Sequence, residues 1–279
     1  DEMSDWPFRG EGQRAQTVGM TTSGSTTPTE LTEPASTNTK SAYTQISTGL
    51  SFDAAAILVT AFVTTNGSRT FLVDIALGSA GSEQVLISNI FSTTALYTNS
   101  RNFYFPVAVP AWTRIAARYQ VNASVTSDIR VAITGFAQGW FAAESYGRVV
   151  TLGATAADSG GIQLAHPGVA HTKGDYSQIV ASTSAPISAL LIALGNSNGQ
   201  YTLAGQQCLM DIAIGPAGSE QVILSNLDYL ALNSGGQFYP EVIGPLPAQI
   251  PANSRVAGRM QGAVSNPSDD VDVVLYGLS

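Results

Sequence analysis

An internal repeat is the feature that most constrains the fold of this chain. Residues Phe71–Ile90 read FLVDIALGSAGSEQVLISNI, residues Cys208–Leu227 read CLMDIAIGPAGSEQVILSNL, and thirteen of these twenty positions are identical. The match continues upstream and downstream, and the offset between the copies grows from 133 to 141 residues. The extra residues fall in polar or proline-rich stretches, where insertions in loops are best tolerated. The sequence therefore predicts two copies of one scaffold.

The repeat also predicts where the domains begin and end. We expect a first domain over residues 39–139 and a second over residues 147–279, each long enough to bury its own core. The connector over 140–146 carries three aromatic residues. An apolar connector of this kind predicts packing between the domains and a fixed angle between them.

Residues 1–38 differ in composition from both copies and form a separate segment. Charges surround Trp6 and Phe8, and a Thr/Ser/Pro tract follows. This composition does not build a core, so we expect an extended N-terminal arm, of which residues 17–38 could instead join the first domain. Aromatic residues are enriched at interfaces, which makes Trp6 and Phe8 candidate docking anchors. The alternative is an unanchored tail.

Inside each copy the pattern is typical of short strands. Residues Phe71–Leu77 alternate between two faces, as a half-buried strand requires. Asn66-Gly67 and Asn198-Gly199 each separate two apolar runs and predict hairpins. One short helical turn is expected over Leu227–Asn233. The fold class predicted is all-β, with two tandem homologous antiparallel β-sandwich domains that are jelly-roll-like in strand spacing.

Composition and charge exclude several kinds of partner. Charged residues make up 11% of the chain, against about 25% in an average soluble domain. The net charge is −8, with no basic run, so we expect no nucleic-acid partner. The longest apolar run, Ala54–Val63, is too short for a helical membrane span, and we expect no membrane insertion.

Two strings resemble hydrolase motifs but lack the required context. Residues 195–199 read GNSNG and satisfy G-x-S-x-G, yet no histidine follows them to complete a triad. Residues 158–161 read DSGG, as around the nucleophile of trypsin-like proteases, yet no histidine precedes them. Both strings predict loops.

The histidines and the cysteine give no strong signal for chemistry. His166 and His171 could supply two metal ligands, but Asp175 is the one close carboxylate, so we interpret both as surface loop residues. Cys208 aligns with Phe71 in the other copy, which favours core packing. We expect no metal and no cofactor.

Charged residues that recur in both copies form the main candidate site. Asp74 lies mid-strand among apolar neighbours, where an unpaired charge would be costly, and Arg114 or Arg118 could satisfy it. We interpret the set as structural ion pairs; a polar glycan groove is the alternative. The paired positions are Lys40 with Lys173, Asp74 with Asp211, Glu83 with Glu220, Arg114 with Arg255, and Arg118 with Arg259.

Glycosidase chemistry would need two carboxylates facing one site. Asp74 and Glu83 are possible partners from the sequence, but Glu83 follows Gly81-Ser82 in what is expected to be a turn. We therefore predict no catalytic residue and no enzymatic activity.

The repeated strings resemble segments of structural proteins from tailed bacteriophages and prophages. They are D-I-A-[LI]-G-x-A-G-S-E-Q-V-[LI]-[IL]-S-N, [VI]-P-A-x-[ST]-R-[IV]-A-x-R and T-K-x-x-Y-x-Q-I, and they recur in both copies. The resemblance implies a virion component: a head decoration or head fibre, a neck or collar part, or a tail-fibre section. It implies other virion proteins and copies of the same chain as partners, and the virion, assembled in the host cytoplasm, as location.

A carbohydrate-binding module is the competing function. Tyr, Trp and Asn residues in loops such as Ala95–Phe103 and Leu230–Phe238 would then contact a host surface glycan. A fibre protein can also carry such a module, so the two functions are compatible.

Overall fold

The structure is a computed structural model that describes residues 14–20, 27–63, 69–94, 99–123, 129–139, 145–195, 206–232, 237–239, 241–265 and 270–279. Within these ranges the chain forms nineteen β-strands and no helix. The all-β class predicted from the sequence is confirmed, and the strands assemble into two antiparallel sandwiches.

The first sandwich contains nine strands in two sheets. They are β1 (Ala15–Val18), β2 (Thr29–Glu30), β3 (Thr44–Ser47), β4 (Ala54–Val63), β5 (Arg69–Leu77), β6 (Gln84–Thr94), β7 (Asn99–Phe105), β8 (Ile115–Val121) and β9 (Ile129–Ala137). Sheet 1A has the order β1-β9-β4-β7, with β2 also paired to β9, and sheet 1B has the order β3-β8-β5-β6.

The second sandwich contains ten strands. They are β10 (Val149–Leu152), β11 (Ile162–Ala165), β12 (Ser177–Val180), β13 (Ile187–Gly195), β14 (Gln206–Ile214), β15 (Gln221–Leu232), β16 (Gln237–Tyr239), β17 (Val242–Ile250), β18 (Val256–Gly262) and β19 (Asp270–Leu278). Sheet 2A has the order β10-β19-β13-β17, with β11 also on β19, and sheet 2B has the order β12-β18-β14-β15-β16.

The two sandwiches share one strand order, and that order is the jelly roll. In each, the first strand is interrupted into two short pieces that pair with the last strand. If the interrupted strand counts as one and β16, an additional strand at the edge of sheet 2B, is left out of the numbering, each A sheet holds strands in the order 1-8-3-6 and each B sheet in the order 2-7-4-5. Two sheets connected in this way form a jelly roll.

Alternating side chains explain how each sheet covers a core. In β5, Phe71, Val73 and Ile75 point into the first sandwich and are fully buried. In β14, Met210 and Ile212 do the same in the second sandwich. In β5 the intervening side chains, such as Leu72, are buried as well, because this strand is covered on both faces. The inward-facing side chains of the two sheets form the core between them.

The sandwiches meet through a surface that is buried like a core. On β13, Leu190 and Ile192 belong to the second core, whereas Leu191 between them belongs to the first. Tyr276 on β19 also packs into the first core, where its ring meets the ring of Phe105 edge-on at a centroid distance of 5.4 Å. The outer face of sheet 2A therefore closes the open edge of the first sandwich.

The segments on either side of the repeats join this structure where they are described. Strands β1 and β2, from the segment expected to be an arm, pair with β9 in sheet 1A. Tyr146, the last connector residue, bridges to Val107 and packs on the first core. Trp6 and Phe8, as well as connector residues 140–144, lie outside the described residues.

One local prediction was wrong, and two lie outside the described residues. The segments containing Asn66-Gly67 and Asn198-Gly199, where hairpins are predicted, are not described. The strands that flank them belong to different sheets: β4 to sheet 1A and β5 to sheet 1B, and likewise β13 and β14. The helical turn expected from Leu227 is absent over the described residues, because β15 continues to Leu232 with β14 and β16 paired on its two sides.

Candidate functional site

The Asp74 carboxylate lies at the centre of a cluster on the outer face of sheet 1B. The Nζ of Lys40 donates to Oδ1 at 2.8 Å, and the Nε of Arg118 donates to Oδ2 at 2.9 Å. The backbone N–H of Asn89, which has φ 56°, donates to Oδ1 as well. Only 4% of the Asp74 side chain is exposed. A buried carboxylate with three donors of this kind is well satisfied.

The second sandwich repeats this cluster with nearly the same geometry. Asp211 accepts from Lys173 at 2.8 Å, from Arg259 at 2.9 Å and from the backbone of Asn226 at 2.9 Å. In both clusters a tyrosine ring lies beneath the guanidinium, with its centroid 4.5 Å from Arg118 or Arg259; these rings are Tyr43 and Tyr176. The cation–π contact orients the arginine and leaves its edge toward solvent.

Electrostatics keep the Asp211 carboxylate ionised. Burial alone would raise the pKa of Asp211, but hydrogen bonds from Lys173, Asn226 and Arg259 outweigh it and hold the pKa below its usual value. Burial lowers the pKa of Lys40, and the Asp74 carboxylate opposes this. A carboxylate with a lowered pKa does not serve as a general acid at neutral pH.

A second ion pair recurs beside each cluster. The Arg114 guanidinium donates from Nη1 to Glu83 at 2.9 Å and to the carbonyl of Gly78 at 3.1 Å. Arg255 makes the same two bonds to Glu220 and Gly215. Asp74 and Glu83 are thus held by different arginines, and the structure does not join them in one carboxylate pair.

A cleft of about 620 Å³ lies next to the first cluster, between sheet 1B and the second sandwich. Lys40, Asp74 and Arg118 form one wall, and Arg148 and Val149 lie opposite. Beside it, the Thr151 hydroxyl donates to the carbonyl of Ser88 at 2.5 Å. Both sandwiches form this cleft: the cluster on sheet 1B provides one wall, and residues of the second sandwich provide the other.

The turn over 155–160 of the second sandwich is seated on sheet 1B. Gln120 donates from Nε2 to the Ala156 carbonyl at 2.8 Å and to the Ser159 hydroxyl at 3.0 Å. Ser159 is fully buried and donates to the Oδ1 of Asn38 at 2.8 Å. The serine of the DSGG string is therefore a docking residue in a turn, and the loop predicted there is observed.

Gly195, the first residue of the GNSNG string, also lies at the joint. A Cβ at this position would lie 2.5 Å from the Phe91 ring and 2.6 Å from Thr93 Cγ2. Glycine is required here by the close approach of the first sandwich, since any side chain would push the sandwiches apart. Residues 196–199 lie outside the described residues.

Arg101 and Tyr276 make polar contacts across the joint. Arg101 is 2% exposed; it donates to the Leu194 carbonyl at 2.9 Å and lies 2.9 Å from the Glu241 carboxylate. The Tyr276 hydroxyl accepts from the backbone N–H of Phe91 at 2.6 Å and donates to the Asn89 carbonyl at 3.1 Å. The repeat does not point to either residue, because Arg101 lies outside the matched strings and Tyr276 aligns with Thr134 in the other copy.

The histidines occupy different environments. His166 is buried, and its Nδ1 accepts from the backbone N–H of Gly168 at 2.9 Å; the interpretation as a surface residue was wrong for it. His171 is exposed. Among the described residues, no three His, Cys, Asp or Glu side chains lie close enough together to hold a metal ion. Cys208 is buried in the second core.

Trp112 is an exposed residue that the sequence analysis did not single out. Its side chain is 74% exposed and its backbone has φ 56°. The counterpart in the second copy is Asn253, with φ 63°. A bulky residue in the left-handed region is unusual, and an exposed aromatic there is available for contact.

Comparisons with known proteins give a limited result. No protein-family model matches the chain. No curated protein sequence matches it either. Among solved structures, the STIV MCP is 10% identical over 95% of this chain and 96% of that chain, with a TM-score of 0.39. PNGase F, a glycosylasparaginase from Flavobacterium meningosepticum, is 6% identical over the same shares, with a TM-score of 0.38. PNGF-II is 10% identical over 95% of this chain and 65% of that chain, with a TM-score of 0.40.

These similarities do not assign a function. The STIV MCP and a glycosylasparaginase match this chain with similarly low TM-scores, so the comparison does not discriminate between them. Separately, no helix among the described residues is long and apolar enough to cross a membrane.

Proposed function

We propose that this chain is a non-enzymatic structural protein of a bacteriophage virion, assembled through the packing of its sandwiches and an N-terminal docking arm. A head decoration or head fibre, a neck or collar part, and a tail-fibre section are the positions considered. The partners that we propose are other virion proteins and further copies of this chain.

The observation that carries the proposal is that the repeated charged residues form ion pairs with one another. Each repeated carboxylate is bound by a lysine or arginine of its own copy, and the two copies do this with matched distances. An enzyme site instead needs a nucleophile, acid or base that is available to a substrate, whereas Lys40 and Asp74 in the cleft wall are paired with each other. Charges used in this way stabilise a scaffold, and we propose a structural role for all ten residues.

The joint between the sandwiches supports the same function. It buries apolar residues such as Leu191 and Tyr276 as deeply as the core of either sandwich. A molecule built as one stiff body suits a particle component that must hold its neighbours at a fixed spacing. A glycan hydrolase of this size would be expected to place paired carboxylates in its cleft, and the cleft of this protein has Asp74 already bound by two cations.

The proposed docking arm includes Trp6 and Phe8. Because strands β1 and β2 belong to sheet 1A, we confine the proposed arm to residues 1–14. These aromatic residues would act as anchors in a groove of a neighbouring virion protein.

Immunogold labelling of intact particles from the source lysate tests the proposal. Label at one defined place on the particle supports the structural role, and a head or tail position selects between decoration and fibre. If the protein is found free in the lysate and the particles carry no label, the proposal is wrong.

A carbohydrate-binding function is the second candidate, and Trp112 favours it. Exposed aromatic side chains stack on the apolar faces of sugar rings, and Trp112 is the large apolar residue most exposed among those described. Residues 95–98 and 233–236 of the loops considered earlier lie outside the described residues. If this function is correct, Trp112→Ala abolishes binding of host polysaccharide while Asn253→Ala retains it. Equal binding by both variants would remove Trp112 as the contact.

A further inference from the structure

The two B sheets resemble each other more closely on their outer faces than in their cores. In β8 and β18 the three outward-facing residues are identical, with Ala116, Arg118 and Gln120 matching Ala257, Arg259 and Gln261. The four residues of β8 that face the core all differ, since Ile115, Ala117, Tyr119 and Val121 are replaced by Val256, Gly258, Met260 and Gly262. Exposed positions tolerate change better than a packed core does. Identity concentrated on the outer face therefore indicates a use of that face other than folding.

Strands β6 and β15 continue this identical surface. Their shared residues are Gln84, Val85, Ser88 and Asn89, which match Gln221, Val222, Ser225 and Asn226. Val85 is 47% exposed and Val222 is 39% exposed, and the two glutamines are exposed as well. Ion pairing accounts for Asp74 and its cations, but it does not account for an exposed valine that is the same in both copies.

The joint between the sandwiches does not account for Val85 and Arg118 either. Of the sheet 1B residues that meet the second sandwich, Ser88 and Gln120 are the same in both copies. Others differ, since Thr70, Phe91 and Thr93 are replaced by Gln207, Asp228 and Leu230. Contact with the second sandwich therefore does not by itself keep a residue unchanged.

In the first sandwich the identical surface lines the cleft of about 620 Å³ described above. Lys40, Arg118 and Arg148 place three cations in the cleft lining against one carboxylate, that of Asp74. The chain as a whole has a net charge of −8. The cleft is thus a positive site on an acidic protein, and this charge favours an anionic ligand.

Arg118 supplies the group that would bind the anion. Its Nε donates to Asp74, and the Tyr43 ring lies beneath the guanidinium. The Arg118 side chain is 31% exposed, which leaves the Nη groups for a ligand. A guanidinium held in this way offers a carboxylate two parallel hydrogen bonds.

We propose that the cleft binds an acidic saccharide, with a sugar carboxylate on Arg118 and the apolar face of the sugar ring on Val85. The site rests on the carbohydrate-binding function given above as the second candidate, names its sugar class, and does not involve Trp112. A sugar is favoured over a simple anion because a cleft of this volume suits a small-molecule ligand. Ser88 and Asn89 also line the cleft and can hydrogen-bond to sugar hydroxyl groups.

The second copy provides a weaker version of the same surface. Arg259 has the partners that Arg118 has, namely an aspartate and a tyrosine ring. The opposite wall of the cleft is different, because Arg148 and Val149 face sheet 1B and not sheet 2B. We therefore expect Arg259 to contribute little to binding of the same sugar.

Isothermal titration calorimetry of the full chain tests the site. The probes are oligosaccharides of hyaluronan, polygalacturonate and polysialic acid, each compared with its carboxyl-reduced form. We expect at least one acidic probe to bind, and its reduced form to bind about tenfold more weakly or worse, since a charge-assisted hydrogen-bond pair is lost. If no acidic probe binds, or if the reduced forms bind as well as their parents, the proposal is wrong.

Two matched arginine variants locate the site. Arg118→Gln should weaken binding about tenfold or more, whereas Arg259→Gln should leave it nearly unchanged. Each variant removes one cation from an aspartate cluster of the same geometry, so their effects on folding should be similar and a difference in binding belongs to the cleft. Equal binding by the two variants overturns the proposal.

Arg148→Gln gives a test that leaves the Asp74 cluster intact. It should weaken binding severalfold, because a cation of the opposite wall is lost. Arg14→Gln is the control with the same change of charge. Arg14 is exposed and occupies the matching position in the first copy, since its carbonyl accepts from Ala137 as that of Arg148 accepts from Ser279. Equal weakening by both variants would show general attraction to the chain and overturn the site.

Further outcomes separate this site from the functions proposed above. Trp112→Ala should bind the acidic probe like the wild-type chain. Binding that is lost in Trp112→Ala but kept in Arg118→Gln would assign the sugar to Trp112 and overturn the cleft site. Particles that label with antibody while the chain binds no acidic probe would leave the virion role intact and remove the site.

Discussion

Asp74 and Asp211 offer two matched experiments within one molecule. Each carboxylate is 4% exposed and joins a lysine to an arginine. Asp74→Asn or Asp211→Asn leaves two cations without their counter-charge, so we expect each variant to lose roughly 1–3 kcal/mol of unfolding free energy. Urea denaturation measures it.

A surface pair provides the control for these variants. Glu30, which is 55% exposed, pairs with Arg130 on sheet 1A, and Glu30→Gln should change the unfolding free energy by less than about 1 kcal/mol. An Asp variant no less stable than Glu30→Gln would show that the clusters are not structural. Reducing sugar released by the wild-type chain, but by neither Asp variant, would reveal catalysis.

Trp112 is expected to lower the free energy of unfolding because its backbone lies in the left-handed region. Its φ of 56° favours asparagine or glycine, and the second copy has Asn253 at this position. Trp112→Asn should therefore raise the unfolding free energy by about 0.5–1 kcal/mol, and the reverse change Asn253→Trp should lower it. Thermal unfolding of both variants tests this. A less stable Trp112→Asn would mean that the indole makes a contact worth more than the backbone cost.

At the scale of elements, the joint between the sandwiches depends on the absence of a side chain at Gly195. Gly195→Ala places a methyl group against Phe91 and Thr93, so we expect a loss of roughly 1–3 kcal/mol of unfolding free energy through overpacking. Phe91→Ala removes the opposing ring and should recover part of that loss in the double variant. Denaturation of both single variants and the double variant measures the coupling. Additive effects would show that Gly195 and Phe91 do not press on each other.

The sequence predicted the strands well and the joint poorly, and both results have one cause. Comparison of the copies selects what they share, such as the alternation in Phe71–Leu77 that lies within β5. The residues that join the copies differ between them: Thr134 stands in the first copy at the position of Tyr276, and Arg101 lies outside the matched strings. An internal repeat therefore reveals the scaffold and hides the contact between its two halves.

The strand that precedes each Asn-Gly pair is paired with distant strands, which the local sequence does not reveal. Asn-Gly between apolar runs is a local signal, and it specifies a tight turn without specifying which strand the chain joins next. In both sandwiches the strands before and after this signal belong to different sheets. The strand order is determined by pairing between distant strands, such as β4 with β9.

At the scale of the whole molecule, His166 should make stability depend on pH. Burial lowers the pKa of His166, opposed by the negative charge of Asp270. As pH falls through about 6.5, the unfolded chain binds a proton that the folded chain does not yet bind, so folding becomes less favourable. We expect the wild-type melting temperature to fall from pH 8 to pH 5.

Two histidine variants isolate this effect. His166→Gln should flatten the pH profile of the melting temperature over that interval, whereas His171→Gln, at an exposed position, should keep the wild-type slope. A profile that His166→Gln leaves unchanged would place the proton uptake on another group. Asp211 acts at lower pH: its lowered pKa contributes stability above the usual carboxyl range, and this is lost as pH falls through the folded value.

Tyr276 gives the molecule a built-in optical marker of its own joint. Burial raises the pKa of Tyr276 far above its usual value, while its hydroxyl is bonded to the first sandwich through Phe91 and Asn89. Phenolate absorbs at longer wavelength than phenol. In alkaline solution Tyr276 therefore adds no phenolate absorbance for as long as the sandwiches remain docked. An absorbance step that the wild-type chain shows and Tyr276→Phe lacks would therefore report separation of the two sandwiches. If the joint is less stable than either sandwich, this step would come before either sandwich unfolds.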